Sequence, residues 1–157
     1  VKLAPRLRDV AFVPQFDGLY PHLTIRRSIE IGIKKRLSST QLRERVSQAA
    51  ESVEMSDLLD RYPQQLSGGQ RRRAALAKAS ASGASIRLLD EPLSAIDTNL
   101  RFQIESDLRR IHQDFGATTL HVTHDAGEAT RLADQIAVID QGRCIQFDEP
   151  DALRSNP

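Results

Sequence analysis

Short apolar runs alternate along this chain with longer stretches that are apolar on one side only. Val10 to Val13 is an apolar run closed by Pro14, which predicts a buried strand ending where Gln15 emerges. Asp17-Gly18 and Pro21 mark a turn, and Thr24 stands where it can cap a helix carrying Ile25, Ile29 and Ile33 on one face. Ser38 with Gln41 reads as a capping box for a second helix, with an apolar stripe of Leu42, Val46, Ala49 or Ala50, and Val53. Leu58 and Leu59 add a short helical turn before Tyr62-Pro63. A basic helix follows from Gly69 to about Ser82, where Gly83 ends it. Ile86 to Leu89 is the next strand, and Asp97 caps a helix whose apolar face is Leu100, Ile104, Leu108, Ile111 and Phe115. Strands at Thr118 to Val122, Ile136 to Ile139 and Cys144 to Phe147 complete the pattern, with a helix around Ala126 to Ala133 and a hairpin signal at Asp140-Gln141-Gly142-Arg143. The alternation predicts an α/β fold with a mostly parallel sheet. Residues from about Thr24 to Leu66 read as a helical insertion.

Composition narrows the class. At 157 residues, 39% hydrophobic and 27% charged, the chain is an ordinary globular domain with a sizeable core. A net charge of +1 gives no global attraction to nucleic acid or to an anionic membrane. The single cysteine, Cys144, cannot form an internal disulfide, which fits a reducing compartment. No apolar run approaches the roughly 20 residues a spanning helix needs, and the N-terminus has no signal pattern, so the chain reads as cytoplasmic. It begins with Val1 and its only methionine is Met55, which points to a piece of a longer product.

Four clusters carry candidate chemistry. In Leu66-Ser67-Gly68-Gly69-Gln70 two glycines after a serine open a helix; they let the main chain approach an anion, and the helix offers unpaired N–H groups and the positive end of its dipole. Asp90 and Glu91 close a strand before Pro92. Adjacent strand carboxylates point to opposite sides, so they have separate tasks, and Pro92 is expected to keep Glu91 extended. His124 follows a strand and precedes a short helix, at the carboxyl-terminal rim where such sheets bind ligands. His121 and His124 lack a third partner for a zinc set. Arg71 to Arg73 read as a solvated helix face, because only 4% of the chain is aromatic and no base-stacking platform accompanies them.

Taken in order, Gln15, Leu66-Ser67-Gly68-Gly69-Gln70, Leu88-Leu89-Asp90-Glu91-Pro92, Ser94-Ala95-Ile96-Asp97 and Val122-Thr123-His124-Asp125 resemble the Q-loop, signature motif, Walker B strand, D-loop and switch histidine of the ATP-binding cassette family. The resemblance runs from about Asp9 to the C-terminus. It implies a P-loop NTPase-type α/β core with a helical subdomain at about 24–66, the whole of 1–157 forming a partial nucleotide-binding domain. It implies ATP and Mg²⁺ as cofactors, with Asp90 and Gln15 serving the metal, Glu91 polarising the attacking water and His124 contacting the γ-phosphate. Ser67, Gly68, Gly69, Gln70 and Asp97 would face ATP held by a second nucleotide-binding subunit in a head-to-tail dimer.

Tyr20 to Thr24 resembles import ATPases in particular. That implies permease partners, a substrate-binding protein, no nucleic acid, and a place on the cytoplasmic face of the membrane. A translation or chromosome-maintenance ATPase, or a non-catalytic remnant donating its signature in trans, is the alternative. No stretch reads G-x-x-x-x-G-K-[ST], the loop that would hold the β- and γ-phosphates. The resemblance therefore implies that this piece alone does not hydrolyse ATP, and that an apolar gap opens beside the strand leading to His124. Arg87 in a strand expected to be apolar on both faces, Arg72 where the family commonly has glutamine, Lys78-Ala79-Ser80 and Gly127 depart from the family pattern.

Overall fold

A computed structural model of the protein describes residues 3–4, 8–33, 37–94, 96 and 98–155. It divides into two compact units, Val1–Val122 and Thr123–Pro157.

In the first unit the elements run β1 (Val10–Val13), α1 (Ile25–Gly32), α2 (Ser39–Glu51), α3 (Gly68–Ala81), β2 (Ile86–Asp90), α4 (Thr98–Phe115) and β3 (Thr118–Val122), with two short 3₁₀ turns at Ser56–Leu58 and Pro63–Gln65. The three strands form a parallel sheet in the order β1-β2-β3, with Phe12, Leu88 and Leu120 in register across it. One face is buried, through Ala11, Val13, Arg87 and Leu89. The opposite face leaves Phe12 and Leu120 about 60% exposed, and Val122 is also exposed. Among the described residues β3 pairs only with β2.

Local chemistry explains the helices. Thr24 caps α1 by accepting from the Arg27 amide, and the Ser38–Gln41 capping box opens α2. Ile33 is the C-cap of α1 rather than a member of its stripe, and Val53 lies past the end of α2 although fully buried. α3 is buried nearly all round through its alanines and Leu76, so it forms the centre against which α1, α2, α4 and β1 pack. Gly83 takes a φ of +71° just past its end, a conformation that glycine adopts without cost. Ile25, Ile29, Val46, Ile104 and Ile111 complete the core. Asp97, the expected cap of α4, lies outside the described residues.

The second unit holds α5 (Ala126–Leu132), β4 (Ile136–Asp140), β5 (Arg143–Asp148) and α6 (Pro150–Ser155). β4 and β5 form an antiparallel hairpin whose two turn residues, Gln141 and Gly142, both have positive φ, as a type I′ turn requires. These strands form their own sheet. α6 was not legible from the sequence pattern, having only six residues and none buried.

Candidate functional site

The carboxyl ends of β1 and β2 meet at one rim. Gln15, just past β1, donates from Nε2 to Glu91 Oε2 at 3.1 Å. Glu91 is not extended, contrary to the expectation from Pro92. Its φ is +44°, a left-handed conformation that costs a side-chain-bearing residue on the order of 1–3 kcal/mol. The surroundings hold it there. The Glu91 amide donates to Val122 O at 2.9 Å, and the Glu91 carbonyl accepts from the Ser94 amide at 3.2 Å and from Ser94 Oγ at 2.9 Å. The turn aims the carboxylate at Gln15. Asp90 is half-buried, and among the described residues its carboxylate has no hydrogen-bond or ion-pair partner.

A buried arginine holds the same rim together. Arg72 is 3% exposed. Its guanidinium donates to Pro92 O, to Pro14 O at 2.7 Å and Gln15 O at 3.3 Å, and to Glu91 O at 3.0 Å and Asp90 O at 3.4 Å. A planar fork with five donors suits such a ring of carbonyls. The neighbouring basic residues of α3 grip the loop after Gln15. Arg71 pairs with Asp17 at 3.1 Å and donates to Leu66 O at 2.8 Å. Lys78 donates to Gly18 O at 2.9 Å and stands 4.5 Å over the Tyr20 ring, with burial pushing its ammonium below the usual lysine range. Arg73 pairs with buried Asp107 at 2.9 Å. The arginine run is therefore a brace, with Arg72 buried, Arg73 mostly covered and Arg71 partly exposed, rather than a solvated face. The sequence did hold the signal: a helix with alanines all round is buried on most sides, so arginines spread over three consecutive positions must in part point inward.

α3 begins at Gly68, and its first turn is closed by a reciprocal cap. Ser67 Oγ accepts from the Gln70 amide at 3.2 Å, while the Ser67 amide donates to Gln70 Oε1 at 2.9 Å. Ser-x-x-Gln here repeats the pattern at Ser38 and Gln41, and was equally readable. The cap uses the Gln70 amide and leaves those of Gly68 and Gly69 as the helix's unbonded donors. The two glycines differ. A Cβ on Gly69 would overlap the Leu100 side chain, whereas one on Gly68 would meet only Arg71 Nη2 at 3.8 Å. Gly68 is exposed and open to a ligand; Gly69 is buried to let α4 approach.

His124 belongs to the second unit, exposed on the turn before α5. That turn is built by Asp125, whose amide donates to Thr123 Oγ1 at 3.0 Å and whose Oδ1 caps α5 by accepting from the Glu128 amide at 3.0 Å. His121 is a half-buried strand residue of the first unit. The structure thus joins Gln15, Asp90 and Glu91 at one rim, sets Ser67 and Gly68 on the helix whose Arg72 braces that rim, and describes His124 separately.

A parallel sheet with a glutamine and two carboxylates at its carboxyl rim, braced by a helix with a glycine-pair start, has the frame of a P-loop NTPase-type α/β fold. The fold matches cbiO1 from Clostridium perfringens, part of the ABC transporter complex cbiONQ, with a TM-score of 0.86 and 24% identity over 94% of this chain and 60% of that one. A family model described as ABC transporter matches residues 2–94. The chain belongs to the ABC transporter family. It is 42% identical over 156 residues to the sn-glycerol-3-phosphate import ATP-binding protein UgpC of Rhizobium meliloti, covering 99% of this chain and 45% of that protein. It is 43% identical over 153 residues to the sulfate/thiosulfate import ATP-binding protein CysA of Synechococcus elongatus, covering 97% and 44%. It is also 43% identical over 151 residues to the spermidine/putrescine import ATP-binding protein PotA of Trichodesmium erythraeum, covering 96% and 40%. The chain spans less than half the length of these relatives.

Proposed function

We propose that these residues form the hydrolytic and signature-bearing part of an importer's ATP-hydrolysing subunit. The observation that carries the reading is the 3.1 Å Gln15–Glu91 contact, with Glu91 held in a strained backbone conformation. Strain that the surroundings overdetermine is common where a side chain must be aimed. Glu91 would orient and polarise the attacking water, as a general base does at the γ-phosphate. The Asp90 carboxylate and the Gln15 amide oxygen are hard oxygen donors suited to Mg²⁺ through its water shell; Mg²⁺ would neutralise charge developing on the phosphates. His124 would contact the γ-phosphate. Ser67, Gly68, Gly69 and Gln70, with Asp97, would face ATP across a head-to-tail dimer, where the α3 dipole and the Gly68 amide favour an anion.

The helical stretch at about 24–66 would dock on permease subunits at the cytoplasmic face of the membrane, in a transporter served by a binding protein. The relatives are named for three chemically unlike cargoes at 42–43% identity, so this segment would not select the cargo.

No G-x-x-x-x-G-K-[ST] lies within these residues, so the 157-residue chain by itself should not turn over Mg-ATP. Mixed with an ABC subunit that has an intact phosphate loop but a mutated signature serine, it should restore hydrolysis. Ser67→Ala in this chain should abolish the restoration. Hydrolysis by the chain alone would overturn its inactivity, and no restoration in the mixture would overturn the signature reading.

A further inference from the structure

Arg87 is a cation inside the sheet's buried face, 4% exposed at the second position of β2. Among the described residues its one hydrogen bond is from Nη2 to Ile111 O at 3.5 Å, near the end of α4. Arg45 of α2 approaches the same region. It donates from Nε to Ala81 O at 3.3 Å and from Nη2 to Ser80 O at 3.4 Å, at the end of α3, with its Cζ 4.6 Å from the centre of the Phe115 ring. The two cations are close enough that Arg45's charge, after burial, helps push the Arg87 guanidinium down, and burial does the same to Arg45. Among the described residues no carboxylate pairs with either arginine.

Capping two helix ends explains part of this arrangement. Each C-terminus contributes about half a negative charge, so two helix ends against two guanidinium groups leave roughly one positive charge uncompensated. Hydrogen bonding shows the same surplus. Two guanidinium groups carry ten N–H donors, yet among the described residues only three bonds are made. Arg72 and Arg73 of α3, by contrast, are satisfied by carbonyls or by Asp107. An uncompensated charge at a buried position is costly unless something pairs with it.

We propose that Arg45 and Arg87 form a binding site for a small oxoanion of the phosphate, sulfate or carboxylate class, at the amino-terminal end of the parallel sheet. A planar fork binds such oxygens in pairs. The site is separate from the rim that holds Glu91, about 13 Å away along the strand, and does not depend on the function proposed for that rim.

Thermal unfolding of the 157-residue protein in inorganic phosphate, sulfate or acetate, each against chloride at equal ionic strength, tests it. Phosphate or sulfate should raise the midpoint by several degrees, growing with the logarithm of concentration. Arg87→Leu should lose the rise, and Arg45→Gln, at a half-exposed position, should weaken it. Ser67→Ala should keep it, which separates this site from the start of α3. A matching rise in acetate would make carboxylates the ligand; a rise in phosphate and sulfate alone would exclude them. An equal rise in chloride, or one that survives both arginine substitutions, would overturn the site.

Discussion

Replacing Arg72 should destabilise the protein strongly. Arg72→Met keeps most of the stem's volume but deletes the guanidinium and its bonds to five carbonyls. Three of those bonds are 3.0 Å or shorter; hydrogen bonds from a charged group are each worth about 1.5–3 kcal/mol. Relief of the buried cation's desolvation offsets part of the loss, while the abandoned carbonyls, several in irregular backbone, add to it. The net expectation is about 3–5 kcal/mol, the range for removing one member of a buried charged network. For a chain of this size that corresponds to a midpoint about 10 °C lower.

The loss should have a local signature as well as a global one. Arg72 ties Pro14-Gln15 to Asp90-Glu91-Pro92, so hydrogen exchange at the Glu91 amide, bonded to Val122 O, should accelerate more than exchange in the middle of α2. Arg72→Lys keeps the charge but not the fork and should recover less than half of the stability. Urea unfolding with an unchanged m-value gives the global number. A loss below about 1 kcal/mol, or unchanged protection at Glu91, would refute the brace.

Three further outcomes follow from the same geometry. Gly69→Ala should cost about 1–3 kcal/mol by overpacking against Leu100, whereas Gly68→Ala should be nearly neutral, and Leu100→Ala should recover part of the Gly69→Ala loss in a double-mutant cycle. Glu91→Gly should raise the unfolding free energy by up to about 1 kcal/mol, because glycine accepts a φ of +44° without strain, while removing the proposed hydrolytic carboxylate; a lower denaturation midpoint would show that the backbone there is not strained. The bidentate Arg26–Asp60 pair holds the Asp60 carboxyl below its ordinary 3.8. Its contribution is therefore present above that value and lost as pH falls through the depressed one. Arg26→Gln should flatten the acid limb of a stability curve below about pH 4, and an unchanged limb would count against the pair.

Local and long-range interactions shape different parts of this fold. The cores of the strands and helices were legible because local periodicity and caps determine them: Thr24, Ser38 and Gly83 each act at the helix end where their chemistry suits. Glu91 departs from the extended backbone that Pro92 favours in the residue before it, because the local turn to Ser94, together with Val122 and Arg72 brought in from other parts of the chain, overrides that bias. The arginine run was misread for a similar reason. Charge alone suggests solvent, and its partners Asp17, Pro14, Pro92 and Asp107 lie 34 to 58 residues or, for Pro92, 20 residues away in the chain.

Arg72 and Arg87 therefore mark two different ways of placing a cation inside this fold. Arg72 exchanges its hydration for five fixed carbonyls, so the charge is compensated and the rim gains a brace. Arg87 gains one long bond near the end of α4 and, among the described residues, no carboxylate. Substitution separates the two. Arg72→Met leaves carbonyls stranded and should destabilise in any buffer, whereas Arg87→Leu strands little more than the Ile111 carbonyl and, in anion-free buffer, should be neutral or stabilising, as apolar replacement of an uncompensated buried charge commonly is. A loss above about 2 kcal/mol on Arg87→Leu without any anion would mean that the helix ends alone compensate Arg87, and the case for a bound oxoanion would fall with it.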